Sequence, residues 1–135
     1  ERAMLASSRL DGHIVSGHVD GVGHVLNCVS DGRSTRLSIE APSNLAHYIA
    51  TKGSICVDGV SLTVNRVEGS VFELNIVPHT AAETIIPHYR VGTAVNLEID
   101  VVARYLERLL QTNKPAGNGI SMATLAENGF LRARK

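Results

Sequence analysis

The sequence predicts an all-β domain, a closed antiparallel barrel or a sandwich, followed by one amphipathic helix. Three observations lead there. About six short segments alternate apolar and polar residues, turn dipeptides recur between them, and after Asp100 the apolar period lengthens from two to that of a helix. The connections are too short to hold helical crossovers, which excludes a parallel sheet. Closure into a barrel would remove the edge strands that so small a sheet otherwise exposes.

The elements follow in order. "ERAMLASSRLDG" carries no strand or helix signal, and 1–9 is assigned to a connection, with the barrel expected over 10–100. Val19 to Val29 is the first strand candidate, interrupted by Gly21 and Gly23. A turn at Ser30-Asp31-Gly32 leads to "RSTRLSIE", with Thr35, Leu37 and Ile39 on one face. "APSNLAHYIA" has Pro42 near its start and apolar Leu45, Tyr48 and Ile49, the spacing of a short helix. "KGSICVDG" turns at Asp58-Gly59 into "VSLTVNRV". Glu68-Gly69 opens "SVFELNIV", and "GTAVNLEID" gives the last strand. "VVARYLERLLQ" then sets Val102, Tyr105, Leu106, Leu109 and Leu110 on one stripe, with Arg104, Glu107 and Arg108 opposite and Asp100 as N-cap. This helix is expected over 101–112, an apolar stripe in need of a partner. The tail, 113–135, opens on the breaker "NKPAGNG" and is read as a short helix from Ser121 to Asn128 or as a mobile segment with a basic end.

Composition narrows the function classes. The 135 residues carry 13 Lys plus Arg against 13 Asp plus Glu. That balance points to neither nucleic acid nor an acidic membrane as partner. No apolar run approaches membrane-spanning length, and a cytoplasmic protein is expected. Cys28 and Cys56 belong to no Cys-x-x-Cys pair and read as buried free thiols. With no tryptophan and few aromatics, a base-stacking surface is not expected.

Candidate chemistry sits in two places. In "VSLTVN", Val60, Leu62 and Val64 face one way, and Ser61, Thr63 and Asn65 the other. Such a polar row faces solvent in an ordinary strand. In a binding barrel it suits a polar heterocycle or a polyol, because hydroxyls both donate and accept. The second place is "GHIVSGHVDGVGH". Read as a strand, it points His13 and His18 to opposite faces and sets His18 and His24 about 20 Å apart. That argues against a shared metal, leaving proton transfer or a structural hydrogen bond. Gly12, Gly17, Gly21 and Gly23 mark bulges, bends or close approach of backbone to a ligand.

Together "GHIVSGHVDGVG", "KGSICVDGVSLTVN", "NIVPHTAAETI" and "VGTAVNLEID" resemble the C-terminal half of the riboflavin synthase family, α-type. The resemblance runs over 1–112 with its motifs in family order. It implies a six-stranded Greek-key barrel followed by a C-terminal oligomerisation helix, usually in a homotrimer. It implies a transferase that dismutates two molecules of 6,7-dimethyl-8-ribityllumazine. A four-carbon unit passes between them, giving riboflavin and 5-amino-6-ribitylaminouracil with no metal or organic cofactor. Each barrel would bind one lumazine, and the site would lie against the N-terminal barrel of a neighbouring subunit. Only one barrel is present, and "ERAM" looks like the end of a preceding one, so the chain is expected to hold half of a site.

Matched by motif, Ser16, Gly17, His18, Lys52, Gly53, Ser61, Thr63, Val77, Pro78 and Thr80 would line the pocket. His18, Ser61 and Asp100 would carry the chemistry: His18 as proton shuttle, Ser61 on polar ring atoms beside Thr63, Asp100 as acceptor. Lys52 and Thr80 would hold ribityl hydroxyls. Asp100 as a mere cap remains open, and His13, His24, His47, His79 and His88 are read as structural or exposed. The rival reading is a flavin- or lumazine-binding antenna module of the same fold, without catalysis. A third is an oligomerisation domain built on the helix.

Overall fold

A computed structural model describes residues 12–112. The expectations for 1–9 and for 113–135, including the helix from Ser121 to Asn128, lie outside the described residues. The strands are β1 (Gly21–Asp31), β2 (Ser34–Glu40), β3 (Ser54–Val57), β4 (Val60–Glu68), β5 (Val71–Ile76) and β6 (Ala94–Ile99). They close into a barrel in the order β1-β2-β5-β4-β3-β6, every pair antiparallel. Strands β3, β4 and β5 follow one another as hairpins and β6 returns beside β3, which is a Greek key. The all-β barrel expectation holds, and the sandwich is set aside.

Alternation builds the interior. Leu37 and Ile39 of β2 face Leu74 and Phe72 of β5, and Ile55 of β3 lies between Leu62 of β4 and Ile99 of β6. All are buried. Gly23 of β1, opposite Val95 of β6, marks where β1 runs close against its neighbours. A Cβ there would stand 2.8 Å from the Glu40 carbonyl oxygen and 2.8 Å from Leu97 Cδ1. A bulge between Val25 and Asn27 follows at once.

Local differences from the sequence reading have physical causes. The first strand begins at Gly21 and runs to Asp31, two residues later at each end than expected. Its last six residues are exposed on both faces, so Cys28 is exposed and only Cys56 is buried. The helix expected in Ala41 to Ala50 is a 3₁₀ turn, Ala46–Tyr48. Leu45, Tyr48 and Ile49 each bond the carbonyl three residues back, which winds the chain more tightly than an α-helix. An unexpected short helix α1, Pro78–Ala82, begins at a proline whose missing N–H is no loss in a first turn.

Helix α2 spans Val101–Thr112. Asp100 caps it: its Oδ1 accepts the Val102 N–H at 2.9 Å. The chain divides into two compact units, 1–104 and 105–135, so the boundary falls within this helix. Val102 in the first unit, and Tyr105, Leu106, Leu109 and Leu110 in the second, are all more than half exposed. No helix among the described residues is long and apolar enough to cross a membrane.

Candidate functional site: a clamped loop over a polar face

The barrel's outer face over β4, β3 and β6 is polar where the inner face is aliphatic. Cys56 lies in register with Ser61 on one side and Glu98 on the other. The next row begins with Thr63 opposite Ser54, and the same parity carries it to Asp100, one residue past β6. Ser61, Thr63 and Asp100 therefore share one face, as period two requires. Asp100 stands at its far edge with one carboxylate oxygen committed to the cap of α2.

Across this face runs the segment 12–20, which is loop and not strand. The strand parity applied to His13 and His18 therefore has no basis in the fold. The segment is clamped twice. At one end His13 Nδ1 lies 2.7 Å from Ser61 Oγ, and a Cβ on Gly12 would meet that same oxygen at 2.6 Å. His13 Nε2 is buried with no partner among the described residues. At the other end the Glu98 carboxylate receives three donors. The Ser16 N–H reaches Oε1 at 2.7 Å and the Ser16 hydroxyl reaches it at 2.6 Å. The Gly17 N–H donates to Oε2 at 3.0 Å. Val15 and Cys56 are buried.

Glu98 is the one buried charged residue among those described. Burial pushes its pKa up. The Ser16 hydroxyl and the N–H groups of Ser16, Gly17 and His18 pull it down and win, leaving it below the ordinary glutamate range. Gly17 has φ +78, a backbone that L side chains rarely adopt, while open space surrounds its missing Cβ. Here glycine is needed for conformation and not for room.

The segment ends on a further tie. Asp20 donates its N–H to the Leu97 carbonyl at 2.8 Å, and its carboxylate accepts the Ile99 N–H at 2.8 Å and the Arg104 guanidinium. Two clefts flank the loop. Gly17, Val19, Cys56, Asn96 and Glu98 help to line one of about 310 Å³. Ser16, His18, Asp20, Glu98 and Arg104 help to line the other, of about 340 Å³. Neither of these two clefts holds both Gly17 and His18. The His18 side chain is exposed.

Lys52 and Gly53 sit beside Thr63 through the backbone: Lys52 donates to the Val64 carbonyl at 2.8 Å, and Val64 donates to the Gly53 carbonyl at 2.9 Å. Lys52 is held at φ 68 and Asp58 at φ 46, the non-glycine residues with left-handed backbones among those described. Asp58 is secured by its own carboxylate. Oδ2 accepts the Tyr89 hydroxyl at 2.5 Å and Oδ1 accepts the Asn96 N–H at 2.7 Å. The β4–β5 register at Val64 and Leu74 leads toward Ser61 on one strand and Val77 past the end of the other. Val77 is the N-cap of α1, Pro78 its first residue, and Thr80 lies within it, its carbonyl taking the Thr84 hydroxyl at 2.7 Å.

Two residues with large parts here, Glu98 and Asp20, had no role in the sequence reading. Each was an acidic residue inside a quoted motif. The signal that could have found Glu98 is its company: the only charged position of "VNLEI" falls between two apolar residues that face the core.

A closed barrel with a clamped glycine loop over a row of hydroxyls, two clefts beside it, defines a small-molecule-binding β-barrel. The family described as lumazine binding domain matches residues 16–100, from the clamped Ser16 to the capping Asp100. This chain belongs to that family. It is 53% identical over 133 residues to the riboflavin synthase of Photobacterium phosphoreum, covering 97% of this chain and 61% of that protein. The chain thus spans about three fifths of the length of that relative. Solved structures that share the fold include LumP complexed with riboflavin, 29% identical with a TM-score of 0.58 over 62% of this chain and 45% of that one, and LumP complexed with 6,7-dimethyl-8-(1'-D-ribityl) lumazine, 28% identical with a TM-score of 0.58 over 64% and 48%.

Proposed function

We propose that this chain is the ligand-binding barrel of a riboflavin synthase. In this reading it holds one 6,7-dimethyl-8-ribityllumazine and contributes half of a site in which a four-carbon unit moves between two lumazines. The products are riboflavin and 5-amino-6-ribitylaminouracil. The observation that carries the reading is the 53% identity to a curated riboflavin synthase across 97% of this chain. The other half of the site belongs to a second barrel, α2 assembles the homotrimer through its exposed stripe, and the enzyme works in the cytoplasm.

The geometry supports particular roles. Ser61 and Thr63, on one face and flanked by Lys52 and Gly53, suit the polar edge of a pteridine and the start of its ribityl chain. Val77, Pro78 and Thr80 would close the ribityl end. His18, exposed on the clamped loop, is free to move a proton, and holding two rings in place supplies much of the remaining barrier reduction. Asp100 would accept a hydrogen bond through the oxygen that its cap leaves.

Titrating the chain with riboflavin and with the lumazine, each followed by its own fluorescence, tests the binding half. Saturable binding without product is the expected result for one barrel alone, and no binding of either would reject the reading. In a two-barrel synthase carrying this barrel, His18→Ala should depress turnover strongly with the fold intact. Unchanged turnover would remove the proton-shuttle role. A binding module without catalysis is the second reading, favoured by the likeness to the LumP complexes. Release of the uracil product by the two-barrel protein separates the two.

A further inference from the structure

We propose that Glu98 is a positioning residue. It shapes the Ser16–His18 loop and fixes what that loop can offer a ligand, namely carbonyl oxygens and the His18 side chain, the N–H groups of Ser16 and Gly17 being taken. This inference rests on the ligand-barrel reading above and adds a residue to which that reading gives no part.

The loop brings the N–H groups of Ser16 and Gly17 and the Ser16 hydroxyl onto one carboxylate, at 2.7, 3.0 and 2.6 Å. A carboxylate has about four lone-pair sites on two oxygens, so it can take all three in-plane. Successive N–H groups converging on one anion through a left-handed residue form a backbone nest. Gly17, at φ +78, supplies that residue. A nest of this kind commonly grips an anion from solution. Here the anion comes from β6, 81 residues away in sequence from Gly17. Among the described residues, neither N–H reaches a backbone carbonyl, so the carboxylate is what gives the loop its form.

Two consequences follow. The loop does not serve as an anion site, because its nest is filled from within. A heterocycle lying against it meets hydrogen-bond acceptors, so the loop recognises a neutral ligand that presents donors. Thr63, exposed on the same outer face, remains to meet the ligand's acceptors.

The test uses the full chain with riboflavin and the lumazine as probes. Glutamine matches the shape of glutamate but has one acceptor oxygen, and its amide would set a donor against a donor at Gly17. In Glu98→Gln we expect the dissociation constants to rise at least tenfold. The amides of Ser16 and Gly17 should lose hydrogen-exchange protection while those of β4 and β5 keep theirs. In Glu98→Ala, acetate should restore affinity and chloride should not, a rescue that a packing role would not show. Should Glu98→Gln fail to fold, Glu98→Asp, which withdraws the charge by one methylene, is expected to give the same loss. Affinity within twofold of the parent with both loop amides still protected would overturn the proposal. If the parent itself binds neither probe, the ligand reading fails, and the exchange measurement still decides whether Glu98 shapes the loop.

Discussion

Replacing Tyr89 with phenylalanine isolates one bond. The ring is buried and stays so, which leaves its hydrocarbon burial unchanged. The loss is the hydroxyl donated to Asp58 Oδ2 at 2.5 Å. Hydrogen bonds to charged groups contribute about 1.5–3 kcal/mol. Asp58 Oδ1 keeps the Asn96 N–H at 2.7 Å, so the carboxylate is not orphaned, and the expected loss is about 2 kcal/mol. Asp58 also sits at φ 46, a conformation that costs a non-glycine residue about 1–2 kcal/mol and that these two bonds hold in place. Urea unfolding followed by circular dichroism reads the effect. With a slope of about 1–2 kcal/mol per molar urea, the midpoint should fall by about 1–2 M. Burial, and then the Asp58 bond, push the Tyr89 hydroxyl well above its ordinary value of 10.0. A raised folded pKa gives stability that is complete below that ordinary value and is lost as the pH rises beyond it. The gap between the two proteins should therefore hold at neutral pH and narrow above pH 10.0. A midpoint shift below about 0.3 M at neutral pH would refute the reasoning, since the bond would then contribute almost nothing.

Other changes probe the loop, a turn and the helix. Lys52→Gly relieves a left-handed backbone worth about 1–2 kcal/mol and adds about 0.5–1 kcal/mol of unfolded-state entropy. A small rise in melting temperature should accompany weaker riboflavin binding; a fall in melting temperature would contradict the strain argument. The depressed pKa of Glu98 gives stability that is full above 4.5 and lost as the pH falls through the folded value. Parent and Glu98→Gln should therefore converge in acid, and parallel acid curves would refute the linkage. Asp100→Ala should cost about 1 kcal/mol through its lost cap, with Asp100→Asn retaining most of it; equal losses in the two variants would show that the cap is not what matters. A chain ended after Asp100 should sediment as a smaller species, and unchanged assembly would show that α2 is not the interface.

The barrel was legible because its signal is local and periodic. Leu62 and Val64 face inward and Thr63 and Asn65 outward, as "VSLTVN" implies, and the turn dipeptides fall between strands. Where the sequence misled, a tertiary partner overrode the local pattern. Strand parity was applied to "GHIVSGHVD", yet the His13 ring is held by Ser61 and the Ser16 N–H and hydroxyl by Glu98, and the segment is a loop. The helix α1 spans five residues, too few for a period to show. Glu98 had no part in the sequence reading, because its partner Ser16 stands 82 residues away. The resemblance gathered the residues from 52 to 80 along the chain, and the helical period that starts after Asp100 had already marked that residue as the cap it proves to be.

The tie at Asp20 has a topological consequence. The residue before β1 bonds the end of β6 and the first turn of α2, and β1 and β6 are neighbours in the barrel. The chain therefore leaves the barrel beside the place where it came in, and the fold is in effect a ring. In a ring the position of the break is arbitrary. Severing the exposed turn at Gly32 and Arg33 while joining the two ends would preserve every ladder. A permuted barrel of this kind should fold with the same strand order, its new ends on the far tip of the β1–β2 hairpin.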